Sequence, residues 1–341
     1  MEEGSANNAS EALAPGRSSS VASLSLLSRF HSVKLFLSVL CVSVAPWLST
    51  PLFAADVHAI VLGIAQDGGV PHIGCTQALC VDARRDPARR ERVAALGLID
   101  GDRRYLIDAT PDIASQIESL NAGRAVPDRR RPVDGIFLTH AHIGHYAGLM
   151  FLGREALGAD AVPVYATERM GRFLRENAPW SELVANRHIA LVQITPGDET
   201  AFGNLRVSAI AVPHRDELSD TVGYRVRGPG GAVLYLPDVD KWERWSRRLE
   251  DEVGAVDVAL LDGTFYETGE LPGRAIAEVP HPFVPETLAR LPATLRGRVR
   301  FIHLNHTNRL LADAGRAAAA GQGIVVARDG DVIALLAVKS P

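Results

Sequence analysis

Three imidazoles stand within six residues in Thr139-His140-Ala141-His142-Ile143-Gly144-His145. Imidazole is a favoured ligand of zinc, iron and nickel, so this density points to metal binding. His140 and His142 can reach one ion from a loop, whereas His145 begins the next helix and faces a neighbouring position. Three more candidate ligands follow in the chain: His214 in Val-Pro-His, Asp238 in Leu-Pro-Asp and His303 in Phe-Ile-His. A divalent ion with an open coordination position lowers the pKa of bound water to about 7 and polarises a carbonyl or phosphoryl oxygen.

Ligands this far apart in sequence need a scaffold that gathers them. The apolar runs 135–139, 207–213, 233–237 and 299–302 read as strands, and each delivers one ligand at its end: His140, His214, Asp238 and His303. Strand ends share one rim of a sheet, so distant residues can converge there. The run 58–63 reads as a strand ending in Gly63, followed by a loop with Gly68, Gly69 and Pro71. Residues 93–99 and 104–107, joined by the Asp100-Gly101-Asp102 turn, read as a hairpin. Helices are expected at 112–121, 153–157, 168–177, 242–252 and 285–291. The fold class this predicts is α/β, a four-layer αββα sandwich over residues 55–341.

The pattern His-x-His-x-x-His after a strand resembles the signature of the metallo-β-lactamase superfamily, His-x-His-x-Asp-His, with Gly144 at the Asp position. The resemblance runs from about Val57 to Leu310. It implies His140, His142 and His214 at a first metal position, and His145 and His303 at a second, with Asp238 bridging. Asp108, in Leu-Ile-Asp-Ala, resembles the early Asp that supports the metal loop from behind. The segments 68–75 (Gly-Gly-Val-Pro-His-Ile-Gly-Cys), 260–266 (Leu-Leu-Asp-Gly-Thr-Phe-Tyr) and 301–308 (Phe-Ile-His-Leu-Asn-His-Thr-Asn) look like the pyrroloquinoline-quinone biosynthesis B branch. Members of that branch lack the histidines at positions 140 and 142 and keep the Asp at 144; this chain does the reverse. The expectation is a complete first position and a second one short of a carboxylate, favouring one tightly held ion. Asp216 or Asp220, after His214, could compensate as ligand or proton shuttle.

In the relatives a cysteine loop and a later histidine hold a structural zinc. Cys75, Cys80 and His306 match three of those ligands, Gln77 stands at a fourth, and His72 is a candidate replacement. A disulfide and simple packing are the rival readings of the cysteine pair. His281, between two prolines, reads as a surface-loop residue, with donation to substrate as the alternative. Asp262 reads as a pocket polar group or a turn cap. Asn305 and Asn308 can fix the His303 loop through side-chain hydrogen bonds.

Composition bounds the function. The 341 residues are 47% hydrophobic and 22% charged, which excludes a disordered or multi-span chain. A net charge of −4 argues against a general grip on nucleic acid. Residues 1–28 read as disordered. Basic Arg29 and Lys34, the apolar run 35–45 and the small-residue exit at Ala54 then read as a secretory signal peptide. The expected product is periplasmic or secreted, cleaved near Ala54 and without a stable membrane span; an uncleaved anchor is the alternative. The leading expectation is a hydrolase carrying one or two catalytic zinc ions, with iron or manganese as substitutes. Metal-bound hydroxide, with Asp238 and His145 at the centre, would attack an ester, lactone, amide or phosphodiester of a small molecule. The alternatives are an iron-dependent oxidative enzyme of the quinone-biosynthesis kind and a non-enzymatic periplasmic carrier of a quinone-like ligand.

Overall fold

The computed structural model describes residues 56–126, 128–271 and 278–336. The proposed signal peptide and the centre of the loop after Gly269 lie outside them.

Two mixed sheets face each other. The first contains β1 (Val57–Val61), β2 (Leu96–Asp100), β3 (Arg103–Ile107), β4 (Gly135–Phe137), β5 (Val162–Ala166) and β6 (Ile189–Gln193), and the final strand Val332–Ala334 pairs with β1. The second contains β7 (Glu199–Phe202), β8 (Leu205–Ala211), β9 (Val222–Arg227), β10 (Ala232–Leu236), β11 (Val258–Asp262) and β12 (Val299–Ile302), in the spatial order 12-11-10-9-8-7. Strand β10 is buried along its whole length, as Ala-Val-Leu-Tyr-Leu leads one to expect of a strand covered on both faces. Strand β8 carries a more alternating pattern, Leu205, Val207 and Ala209 inward and Arg206 outward.

Helices cover the outer faces. Ile113–Leu120, Glu168–Glu176 and Trp180–Ala185 bury Ile113, Leu120, Met170, Leu174 and Leu183 against Leu106, Ile136 and Val164 of the first sheet. Leu249, Val253, Val284 and Ala319 pack from other helices into the larger core between and behind the sheets. The four-layer sandwich expected from the sequence is therefore the observed architecture.

Strand direction decides where the ligands meet. Strands β3 to β6 run parallel, as do β10 to β12, while β8 reaches the direction of β10 through two antiparallel pairings. Likewise β1 matches the direction of β3 through β2. The C-terminal ends within each sheet thus lie at a common rim, where open α/β sheets place their sites.

Two expected helices differ. Residues 153–157 form turns, with a 3-10 segment before them at Ala147–Leu152. Residues 242–252 divide into a 3-10 turn at Trp242–Arg244 and a helix at Leu249–Gly254. The indoles explain this division: Trp242 Nε1 donates to Thr287 Oγ1 (2.9 Å) and Trp245 Nε1 to the Ala211 carbonyl (2.8 Å). Each ring is anchored to a different part of the second sheet's surroundings, and the backbone extends at Trp245.

Candidate metal centre

Five imidazoles surround one carboxylate oxygen. Asp238 Oδ2 lies 3.2 Å from His214 Nε2, 3.3 Å from His140 Nε2, 3.8 Å from both His142 Nδ1 and His145 Nε2, and 3.9 Å from His303 Nε2. His214 Nε2 and His142 Nδ1 face each other at 3.1 Å. Ligands about 2.1 Å from a tetrahedral ion stand about 3.4 Å apart, so these separations suit shared coordination.

The buried atoms make the same point. His140 Nε2, His145 Nε2, His303 Nε2, Asp238 Oδ1 and Asp67 Oδ1 are enclosed and have no hydrogen-bond partner. An orphaned buried nitrogen is costly, and several aimed at one place are what a cation would satisfy. The donor set therefore fits a metal ion on chemical grounds.

The opposite ring nitrogens are held from behind. Asp108 Oδ2 accepts from His145 Nδ1 (2.8 Å), while its Oδ1 accepts from the Thr139 backbone N–H and hydroxyl, each at 2.9 Å. Thr139 Oγ1 lies 3.0 Å from His140 Nδ1, and Thr264 Oγ1 3.0 Å from His303 Nδ1. Such partners fix ring orientation and leave Nε2 to coordinate. Asp108 and His303 adopt φ of +70° and +63° immediately after β3 and β12. A left-handed backbone costs a non-glycine residue about 1–3 kcal/mol, which the surrounding structure must offset. The helical turn carrying His145 comes close because Gly148 has no side chain: a Cβ there would lie 2.0 Å from the Thr110 carbonyl oxygen.

Charges are arranged around this geometry. Burial opposes protonation of His214, but Asp238 and Asp240 outweigh it and hold the imidazole up at about 10. Burial also opposes protonation of His145, yet Asp108, Asp67 and Asp238 raise it to about 9. His140 is driven well below its ordinary value by burial and the neighbouring His145. Asp238 is held well below the usual carboxylate range, because His214, His303 and His281 overcome its burial.

The six residues read as ligands, His140, His142, His145, His214, Asp238 and His303, are thus brought together. The two acids read as compensating are not. Asp216 is exposed and pairs with Arg169 at 3.3 Å, and Asp220 accepts from the Thr167 hydroxyl that caps the helix at Glu168. The carboxylate beside His145 and His303 is instead Asp67, whose Oδ1 is 3.7 Å from His145 Nε2. The second position does not lack an acid, contrary to the sequence expectation. The sequence carried no signal for it: Asp67 lies six residues beyond the end of β1, so the strand-end pattern that marked the other ligands does not reach it.

His281 is also corrected. It is only 7% exposed, with Nδ1 2.8 Å from Asp262 Oδ2 and 3.3 Å from Asp238 Oδ1. Asp262, fully buried, serves as both turn cap and site residue: it accepts from the Thr264 N–H (2.8 Å), the Val239 N–H (3.1 Å) and His281. Asn308 donates to the Gly263 carbonyl (2.8 Å) and accepts from the Leu310 N–H (2.8 Å), tying the His303 loop to Thr264. Asn305 donates to Thr307 Oγ1 (3.0 Å).

A second cluster joins the segment after β1, including the helix Ala78–Arg85, to the loop after β12. Cys75, Cys80 and His306 place their ligand atoms within 4.8 Å of one another, and the two thiols are not joined in a disulfide. His72 is not part of that cluster. Its ring stacks on His306 at 4.3 Å, its Nδ1 faces the Ile73 carbonyl, and only its backbone N–H reaches Cys80 Sγ, at 3.3 Å.

The beta-lactamase superfamily domain profile matches residues 103–304. The coenzyme PQQ synthesis protein B of Cupriavidus necator is 30% identical over 317 residues, covering 81% of this chain and 98% of that protein. Its counterpart in Methylobacterium sp. (strain 4-46) is 29% identical over 311 residues, covering 82% and 100%. Among solved structures, Zn(2+)-bound PqqB from Methylobacterium extorquens superposes with a TM-score of 0.64 at 23% identity, covering 81% of this chain and 99% of that one. A diphosphatase of the PhnP family superposes with a TM-score of 0.57 at 20% identity, covering 81% and 96%.

Proposed function

Because this chain belongs to the metallo-β-lactamase superfamily, in the branch of the coenzyme PQQ synthesis B proteins, we propose that it is a metal-dependent hydrolase of a small molecule. The observation that carries this reading is the convergence of four Nε2 atoms on Asp238 Oδ2, those of His140, His145 and His303 without any other partner, with ligands for two neighbouring ions. A bound divalent ion would acidify water and polarise the oxygen of an ester, lactone, amide or phosphodiester bond. Zinc suits an imidazole and carboxylate donor set, and iron or manganese are the substitutes.

The chain's own residues supply the rest. Asp108 keeps the proton of His145 on Nδ1, so Nε2 presents its lone pair to the ion. Thr139 and Thr264 do the same from the far sides of His140 and His303. Asp262 fixes the ring of His281 through Nδ1; burial opposes protonation of that ring, but Asp262 and Asp238 outweigh it, and the imidazolium form would serve as a proton donor to the departing group. A wholly buried Asp238 keeps its charge for the ions and away from bulk water.

A second reading is favoured by the likeness over nearly the full length of the Cupriavidus necator protein: a step in quinone-cofactor synthesis, with iron and oxygen in place of zinc and water. Anaerobic loading of the metal-free protein with zinc or iron, followed by a hydrolase panel and oxygen uptake, separates the two. Hydrolysis with zinc supports the first. Oxygen-dependent turnover with iron, and no hydrolysis with zinc, overturns it. Export is part of the proposal, and intact-mass measurement of the native protein tests it: a mature N-terminus far upstream of Asp56 would contradict cleavage near Ala54.

A further inference from the structure

We propose that Asp67 is the carboxylate ligand of the second metal position, and that it occupies the place a side chain at residue 144 would otherwise take. This inference rests on the metal-centre reading above and extends it to the identity and origin of one ligand.

The steric relation is direct. A Cβ built on Gly144 would lie 2.2 Å from Asp67 Oδ1, 2.6 Å from Asp67 Cα and 3.0 Å from its Cγ. The second of these is a backbone atom, so no change of rotamer relieves it. Either residue 144 carries a side chain or the loop of Asp67 lies where it does; both cannot hold in this backbone. Gly144 follows His142 by two residues and precedes His145, so a carboxylate standing in that space is adjacent to the ligand loop whichever chain segment delivers it.

The loop is built to stay there. Gln66 donates its backbone N–H to the Leu304 carbonyl (2.9 Å), and Leu304 donates back to the Ile64 carbonyl (2.8 Å). Asp67 is therefore stapled to the residue after His303. Gly69 N–H closes a turn onto the Gln66 carbonyl at 2.8 Å. The side chain is 32% exposed, yet Oδ1, the atom that faces His145, is enclosed and has no hydrogen-bond partner. His145 Nε2 and His303 Nε2, on fully buried residues, are unpartnered too, and Asp67, His145 and His303 each bring a ligand atom within 4.8 Å of the others. A carboxylate loop placed merely for structure would have its inward oxygen bonded to a donor.

The substitution pattern that follows is reciprocal. Asp67→Asn keeps the shape and removes the anionic donor. Asp67→Gly with Gly144→Asp removes the side-chain overlap, gives the loop at 67 the freedom to shift off the remaining backbone contact, and returns a carboxylate from the helix side. Gly144→Asp alone forces two side chains into one volume. The experiment loads each purified, refoldable protein with zinc, counts bound ions by mass spectrometry of the metal, and titrates each ion against a chromophoric chelator, with circular dichroism as the check on folding. Cys75→Ser in every background removes the contribution of the cysteine cluster.

The expected result is two ions at the centre in the parent. In Asp67→Asn the second ion weakens by at least about tenfold, and in the double variant it is recovered. Two equally tight ions in folded Asp67→Asn would overturn the assignment of Asp67 and leave the metal centre standing. So would one ion in both the parent and Asp67→Asn. No ion at the centre of the parent would instead sink the metal-centre reading itself.

Discussion

On one side of Asp238 stand His140, His142 and His214; on the other stand Asp67, His145 and His303. Each group reaches the surface through one residue, His142 (16% exposed) in the first and Asp67 (32% exposed) in the second. His142 is partly exposed, its Nε2 is 3.5 Å from Arg215 and 3.7 Å from the exposed Glu217, and the helical turn at Ile143 begins beside it. The second group is braced throughout: His145 by Asp108, His303 by Thr264, and Asp67 by the backbone bonds around Leu304. Preorganisation follows from packing and outer hydrogen bonds rather than from ligand count. The position expected from sequence to be the weaker is therefore the one whose three ligands are all held from behind, whereas His142 in the other turns its Nε2 only towards exposed side chains.

The largest effect should come from the residue both sides share. Asp238→Asn is expected to lose both ions and to reduce turnover on the order of a thousandfold or more, measured by metal content and rate together. Retention of one tight ion would show that the two sides do not depend on a common bridge. Next, Asp108→Asn should weaken the ion beside His145 by about 10–100-fold, and the ion beside His140, which Asp108 reaches only through Thr139, by less. Equal weakening on both sides would erase the distinction.

Protons offer a smaller test. In the metal-free protein His145 and His214 are raised from 6.5 to about 9 and about 10 by the carboxylates that face them. Groups raised on folding contribute stability that is fully present below pH 6.5 and is lost as pH rises through 9 to 10. The Tm of the metal-free protein should therefore fall as pH rises across that window. Metal loading should release protons at neutral pH, read by calorimetry in buffers of different ionisation enthalpy. Smallest of all, Glu217→Ala at the open rim should change metal affinity by less than about twofold, since exposed pairs contribute little.

How much of this was written in the sequence depends on the range of the interaction. The ligands at 140, 142 and 145 are local, and the apolar runs before His214, Asp238 and His303 mark strand ends without any knowledge of the partners. The superfamily and the sandwich were legible for the same reason. Asp67 was not, because its importance lies in a close approach to Gly144, three strands of the first sheet further along the chain. A Gly-rich loop shows nothing of that by itself. His281 was hidden by its prolines, which suggest a surface turn, while its burial comes from Asp262 at the end of β11. Asp216 and Asp220 looked close to His214 along the chain, but Arg169 and Thr167 draw them towards another helix. The broken helix at 242–252 reflects two indole hydrogen bonds to other segments, which no periodicity encodes.

The central claim is that two ions share Asp238, and anomalous diffraction from crystals grown with zinc tests it most directly. The account predicts two peaks flanking the Asp238 carboxylate, one bounded by His140, His142 and His214 and the other by Asp67, His145 and His303, apart from any peak at Cys75 and Cys80. A single peak at Asp238, or none, in fully loaded crystals would contradict it.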